Sequence, residues 1–278
     1  MELAGQEQNY KKLLEVIRPY GSAAIAFSGG TDSSLLAFAA AEALGAGNVI
    51  CITARARSFP EREHAEAVKL CKAMGIRHLV FDFNELGVEG FSSNPENRCY
   101  LCKRDLLSKI ISMAGEAGIS TVFEGSNLDD EGDFRPGMQA VSELGVKSPL
   151  REAGLRKEEI RALSKACGLA SWDRPSFACL ASRFAYGEEI TPEKLDMVDK
   201  AEQFLIDRGF TTVRVRILGT ECFTARIEVL PDDIPRLAGS QDREGTEIFL
   251  KSIGFTYVTL DLSGYRTGSM NEGIKTKA

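Results

Sequence analysis

Residues 28–33, Ser28-Gly29-Gly30-Thr31-Asp32-Ser33, follow an apolar run and precede an Ala- and Leu-rich segment, so they join a strand to a helix. Gly29 and Gly30 let the backbone approach an anion closely, because no side chain intervenes. The orphan amides and positive dipole end of the following helix suit that anion. The Ser28 and Ser33 hydroxyls add donors, and Asp32 suits a magnesium ion shared with phosphates. The lysine of a phosphate-transferring P-loop is missing, so the expected task is to grip pyrophosphate rather than pass on a γ-phosphate. The bland alternative is a glycine turn with a helix cap.

A second cluster is sulfur. Cys99 and Cys102, in NRCYLCK, have two residues between them, a spacing that lets both thiols face one metal or cluster. Cys179 lies in PSFACLASRF, a loop-like stretch. A closed structural zinc site wants four ligands, and neither of the two histidines, His64 and His78, lies near these segments in sequence. A four-iron cluster can be held by three cysteines with one iron left open. A redox pair or coincidence remains the alternative for Cys99 and Cys102, and a core position for Cys179. Cys51, Cys71, Cys167 and Cys222 sit in apolar patterns and read as packing residues.

The elements that must hold these groups alternate. A short amphipathic helix over 9–18 is followed by strands at 23–27, 48–54, 78–83 and 120–125. Helices at 34–45, 60–75 and about 102–117 lie between them. Alternation of this kind predicts an α/β fold with a doubly wound parallel sheet, whose ligands bind beyond the carboxyl ends of the strands. The loops at 28–33, 53–59, 91–101 and 125–137 are therefore expected to converge on one crevice. By the same rule Thr53, Ala54, Gly125 and Asn127 are expected to contact adenine and ribose, or else to be plain turns. Near Gly187–Thr191 the composition shifts, and a helix (192–208), strands (211–218 and 222–230), a helix (233–252) and a strand (255–261) follow. This α-β-β-α-β order is read as a small ferredoxin-like α+β unit, giving domains of 1–187 and 188–278.

The 278 residues can bury a substantial core. No apolar run approaches the roughly 20 residues that span a bilayer, and the N-terminus lacks a signal pattern, so no membrane is expected and the location reads as cytoplasmic. A formal net charge of −6 disfavours a broad nucleic-acid surface. Seven cysteines without an export signal argue against a disulfide framework.

The segment SGGTDSS in its strand–loop–helix setting resembles the PP-loop ATP pyrophosphatases over about residues 20–130. That resemblance implies ATP cleaved between its α- and β-phosphates, with AMP passed to a substrate oxygen. Together, SGGTDSS, NRCYLCK, EGSNLDDEGDFRPG and PSFACLASRFAYGEEIT, followed by VRVR and ARIEV, resemble the LarE family over nearly the whole chain. The family makes the nickel-pincer nucleotide cofactor of lactate racemase. The resemblance implies an ATP-dependent sulfur transferase that adenylates a carboxylate of pyridinium-3,5-biscarboxylic acid mononucleotide, then inserts sulfur. LarE proteins occur with one sacrificial cysteine or with three that hold a [4Fe-4S] cluster. Cys99, Cys102 and Cys179 match the cluster form, which puts sacrifice of Cys179 in doubt. The sulfur donor is left open.

Arg214 and Arg216 alternate along VRVR, which puts both on one face roughly 7 Å apart, a spacing suited to a phosphate. Arg226 and Glu228 on the next strand could lie beside them, and the bland reading is a set of cross-strand pairs. The resemblance assigns Arg214 and Arg216 to the substrate phosphate, with catalytic Glu202 and Asp232 or Asp233 nearby. Arg183 is a further candidate phosphate contact. The partners are thus a small-molecule nucleotide and ATP with Mg2+, with no nucleic acid expected, and analogy implies a homo-oligomer. A cluster-dependent tRNA thiolase and a non-catalytic adenine-nucleotide-binding module are the alternatives.

Overall fold

A computed structural model describes residues 2–130, 136–175, 177–266 and 268–271. The chain divides into two compact units, Met1–Val88 with Asn97–Phe177, and Glu89–Glu96 with Ala178–Ala278.

The first unit is built on four parallel strands, β1 (Ala23–Ala26), β2 (Val49–Arg55), β3 (Arg77–Asp82) and β4 (Val122–Phe123), in the order β3-β2-β1-β4. Around them lie α1 (Glu2–Ile17), α2 (Thr31–Leu44), α3 (Glu61–Met74), α4 (Arg98–Glu116), α5 (Gly137–Glu143), α6 (Pro149–Glu152) and α7 (Lys157–Ala166). Period-two alternation divides the central strands between two cores. Ala23, Ile25, Val49 and Cys51 pack with Leu13, Leu35 and Leu70 from α1, α2 and α3. Ala24, Ile50 and Ile52 pack with Leu107, Ile110 and Ala114 from α4. Both faces are apolar, so the runs AAIA and VICIT are continuous rather than alternating. Helices on both faces and parallel strands are the α/β architecture expected. Burial of Ile25 at 0% exposure makes its truncation to alanine cost about 2–5 kcal/mol.

The chain steps from β1 to β2 to β3, then returns past β1 to β4. The reversal falls between β1 and β4, where open parallel sheets bind their ligands. Two glycines bring the backbone together there. Gly29 has φ +74° and a Cβ would stand 3.0 Å from Ala67 Cα, so α3 could not approach as it does. At the end of β4, a Cβ on Gly125 would meet Ser33 N at 3.2 Å. The fourth strand is shorter than its expected span of 120–125. Its edge is extended by a parallel bridge from Phe123 to Lys147. Helix α4 begins at Arg98, so both Cys99 and Cys102 are helical rather than only the second.

The second unit contains α8 (Pro192–Ile206), β5 (Val213–Leu218), β6 (Thr224–Val229), α9 (Ile234–Ala238), α10 (Ser240–Ser252) and β7 (Tyr257–Leu260). Thr191 caps α8 by accepting from Lys194 N at 3.3 Å, with Pro192 at the first helical position. The α-β-β-α-β order is present, but the expected single helix over 233–252 breaks at Gly239, whose ψ of 152° is extended. The sheet order is β5-β6-β7, with β5 and β6 antiparallel and β6 and β7 parallel neighbours. A ferredoxin-like sheet would place another strand between that parallel pair. The described unit is instead a three-stranded mixed sheet.

The division also falls earlier than the expected 187/188, at Phe177/Ala178. Backbone pairing explains why 89–96 joins the second unit: Gly187 N donates to Asn94 O (2.9 Å) and Ile190 N to Ser92 O (2.8 Å). Asn94 Nδ2 adds a bond to Ala185 O at 2.6 Å. Among the described residues no helix is long and apolar enough to cross a membrane.

Candidate active site

In the first unit the loop between β1 and α2 is closed by its own serines. Ser28 Oγ accepts from Gly30 N at 3.3 Å and lies 3.2 Å from Ser33 Oγ, which donates to Gly30 O at 3.2 Å. The first intrahelical bond runs from Ser34 N to Gly30 O. The amides of Thr31, Asp32 and Ser33 precede it and have no partner in their own helix. They give the loop donors of the kind that suits an anion.

A cavity of about 420 Å³ opens beside this loop. Ser28, Gly30, Asp32, Ser33, Thr53, Ala54 and Gly125 all line it, as the sequence predicts, and Ile52, Leu107 and Ile110 give it an apolar wall. A smaller cavity of about 160 Å³ shares Ser28, Gly30 and Asp32 and carries Lys157, Arg161 and Arg174. An apolar wall suits a base and a cationic wall suits phosphates.

Gly29 and Asn127 are not among the residues that line either cavity. Gly29 O accepts from Arg174 Nη1 at 3.1 Å, and Arg174 Nη2 also reaches Glu63 at 2.9 Å. Asn127 is wholly buried, and its Nδ2 donates to Asp32 Oδ1 at 3.4 Å. It orients the acid rather than lining the cavity. Of the four loops expected to converge, 28–33, 53–59 and the described start of 125–137 do so. Residues 131–135 lie outside the described residues, as does Ser176. From 91–101 nothing lines the cavity, and Lys103, Leu106, Leu107 and Ile110 of α4 take that place.

Burial, and then the neighbouring Asp130, push the Asp32 carboxyl up to about 6, against Lys157, Asn127 and Arg161. Two carboxylates that line one cavity are donors of the kind that suits a Mg2+ ion. Asp130, which also lines the cavity, was not singled out by the sequence.

Nor was Glu124, which organises the end of β4. Its carboxylate accepts from Ser148 Oγ (2.5 Å), Ser126 Oγ (2.7 Å), Ser126 N (3.1 Å) and Lys103 Nζ (2.9 Å). Burial opposes its charge, but Lys103 and the hydroxyls hold it below the usual carboxylate range. The signal lay in EGSN and in the lysine after Cys102. At the opposite rim Thr53 Oγ1 donates to Phe27 O at 2.7 Å, so it accepts from His78 Nε2, also at 2.7 Å. Burial and then His64 lower the His78 pKa, which keeps that ring neutral.

Cys99 and Cys102 stand three positions apart at the start of α4 and so share a helical face. Cys99 is exposed, Cys102 half-buried, and neither is in a disulfide. Cys179, half-buried and in no disulfide, belongs to the second unit. Among the described residues no three Cys, His, Asp or Glu side chains gather as a metal group. The thiols therefore match a cluster in donor chemistry alone.

The second unit brings together the predicted arginines. Arg214 lies opposite Glu228, and Arg216 opposite Arg226, in the β5–β6 register. Arg216 bonds Glu228 at 2.7 Å, Ser269 Oγ at 3.0 Å and Ser182 O at 3.0 Å. Arg226 bonds Glu228 at 2.9 Å. Arg214 is 7% exposed, donates to Val213 O and stacks over Tyr265 at 5.1 Å. Burial, then Arg183, lowers its pKa.

Arg183 and Glu202 depart from their expected roles. Arg183 is 0% exposed and has no surface for a substrate phosphate. It grips Glu202 and donates to Ala178 O (3.1 Å), Cys179 O (3.5 Å) and Ser182 Oγ (2.6 Å). Glu202 also accepts from Val215 N at 3.0 Å, so it positions the Cys179 loop rather than meeting substrate. Asp232 and Asp233 lie on the turn Pro231–Asp233, outside this hydrogen-bonded group.

The NAD synthase family pattern matches residues 11–107. An uncharacterised protein of Synechocystis sp. is 41% identical over 267 residues, 95% of this chain and 97% of that protein. Argininosuccinate synthase of Haloarcula marismortui is 30% identical over 148 residues, 50% of this chain and 35% of that protein. The pyridinium-3,5-bisthiocarboxylic acid mononucleotide synthase of Lactiplantibacillus plantarum is 35% identical over 266 residues, 96% of this chain and 94% of that protein. Both units are covered by that match, and the chain belongs to the LarE family within the PP-loop proteins.

Proposed function

We propose that the chain is an ATP-dependent sulfurtransferase acting on pyridinium-3,5-biscarboxylic acid mononucleotide. A substrate carboxylate oxygen attacks the α-phosphorus of ATP, and the bond to the bridging oxygen breaks as pyrophosphate leaves. Sulfur then adds to the acyl carbon, AMP departs with the C–O bonding pair, and a thiocarboxylate remains. The observation that carries this reading is Asp32. It stands at the start of α2, beside the Ser28–Gly30 turn, with an apolar-walled cavity on one side and Lys157, Arg161 and Arg174 on the other.

In this reading the amides of Thr31, Asp32 and Ser33 hold the pyrophosphate, and they stabilise the charge that develops as it leaves. Asp32 and Asp130 hold Mg2+. Thr53, Ala54 and Gly125 flank the adenosine. Arg214 takes the phosphate of the mononucleotide, while Arg216 is largely committed to Glu228 and Ser182.

Cys99, Cys102 and Cys179 would hold a [4Fe-4S] cluster through their thiolates. Such a cluster, when bound, supplies an open iron on which an extra sulfide can ride. The support is the resemblance of the three cysteines to the cluster-bearing form and the helical face shared by two of them. A homo-oligomer is proposed on analogy alone.

The test is pyrophosphate release from Mg–ATP by anaerobically reconstituted protein, with the pyridinium biscarboxylate nucleotide or bulk tRNA as acceptor. Release with the pyridinium nucleotide alone is expected. Release with tRNA alone would move the chain to the RNA thiolases.

A further inference from the structure

His64 is one of two histidines in the chain and has no part in the chemistry above. It lies in the first turn of α3, after β2, and lines the 420 Å³ cavity with Thr53, Ala54, Phe59 and Phe177. Its Nε2 is buried and has no hydrogen-bond partner. A buried polar atom without a partner costs about 1–3 kcal/mol, and on a residue that lines a cavity a bound ligand can recover that cost. The other ring nitrogen fixes what kind of partner it takes. Nδ1 lies 3.4 Å from the Glu61 carboxylate, which favours the tautomer protonated there. Nε2 is then a lone pair, an acceptor on a residue that lines the cavity together with Ala54, Phe59 and Phe177.

We propose that His64 is a nucleoside-reading residue, its Nε2 accepting a hydrogen bond from the adenosine of ATP. Two groups on adenosine can donate, the 6-amino group and the ribose hydroxyls. The inference rests on the placement of the nucleotide proposed above, and it adds a polarity. A purine with a carbonyl at position 6 would present an acceptor where His64 presents another.

The test is calorimetric titration of Mg–ATP and of Mg–pyrophosphate into wild type, His64→Ala and His64→Gln, the last keeping an acceptor on the side chain. One neutral hydrogen bond corresponds to about a three- to tenfold change in Kd. The alanine variant is expected to lose that factor for ATP, keep its pyrophosphate affinity, and recover part of the loss as glutamine. Purine riboside triphosphate, 2′-deoxy-ATP and 3′-deoxy-ATP then identify the donor. Wild type should lose the same factor on one of them, and the alanine variant should lose nothing more on it. ATP bound by the alanine variant as tightly as by wild type would overturn the proposal. So would equal losses for ATP and pyrophosphate, which would make His64 a scaffold residue. A wild type that binds pyrophosphate but no ATP would sink the nucleotide placement, and this inference with it.

Discussion

Arg183 and Glu202 form a two-point ion pair sealed from solvent: Nε meets Oε1 at 2.6 Å and Nη2 meets Oε2 at 3.0 Å. The remaining guanidinium nitrogen holds the carbonyls of Ala178 and Cys179. The pair is a clamp on the loop that carries Cys179. Removing one partner strands a buried charge, so Glu202→Gln should lower unfolding free energy by about 3–5 kcal/mol. It should also speed alkylation of Cys179 relative to the exposed Cys222. Burial opposes the Glu202 charge and Arg183 more than offsets it, which depresses its pKa. Its stabilisation is therefore present above the unfolded value of roughly 4.3 and lost as pH falls. Urea midpoints at pH 7 and below 4 check the sign, since the variant's deficit should shrink in acid.

Asp32 titrates at about 6 because burial and Asp130 raise it. A raised acid favours the proton in the folded state, so this group's contribution to stability falls as pH rises from its unfolded value through 6. Magnesium requires the carboxylate. Mg–ATP binding should release a proton at pH 5.5–6 (approximate values around that pKa), visible as a buffer-dependent heat. Asp32→Asn should abolish both that proton and pyrophosphate release, and an active variant would remove Asp32 from the mechanism.

Lys103 and Glu124 are coupled through a half-covered ion pair of 2.9 Å. Replacing Lys103 by methionine leaves a buried carboxylate with only hydroxyl and amide donors. A loss of about 1–3 kcal/mol at pH 7 is expected, discounted for the partial exposure of the lysine. The depressed Glu124 pKa places the pair's stabilisation above the unfolded value of about 4.3, so the loss should fade as pH drops through it. Chemical denaturation at two pH values measures it.

Cys102→Ser tests the cluster. Reconstituted wild type should show a broad band at roughly 400 nm and bound iron, and the variant should lose both while keeping its far-ultraviolet spectrum. Equal iron in the two proteins would count against Cys102 as a ligand.

Arg214→Ala should raise KM for the mononucleotide at least tenfold (about 1.4 kcal/mol or more for a lost charge-assisted contact) and leave KM for ATP unchanged. Steady-state pyrophosphate release with each substrate varied separates the two. Arg216→Ala should instead lower stability, because Arg216 already bonds Glu228 and Ser182.

Local pattern was enough for the loop at Ser28, the parallel strands and the placement of Thr53, Ala54 and Gly125. A two-faced apolar run followed by glycines and a helix admits few arrangements, and the carboxyl ends of parallel strands must share an edge. The sequence likewise determined that Arg214 and Arg216 face one way, since period two leaves no choice, while the β5–β6 register that sets Glu228 opposite Arg214 came from the structure. What those arginines hold was a matter of tertiary structure. VRVR reads the same whether its polar face is open or covered, and here the chain's own Ser182 and Ser269 cover part of it.

Arg183 shows the limit most plainly. A charged residue four positions after a cysteine is a surface candidate by default, and only packing reveals that its carboxylate partner is 19 residues away on α8. Glu124, Asp130 and His64 were missed for the same reason. Their roles come from burial and from neighbours distant in sequence, which set a pKa or leave an atom unpaired, and no spacing within one segment encodes that. The division of the chain followed suit: residues 89–96 join the second unit through backbone bonds to 185–190, which side-chain patterns do not foreshadow.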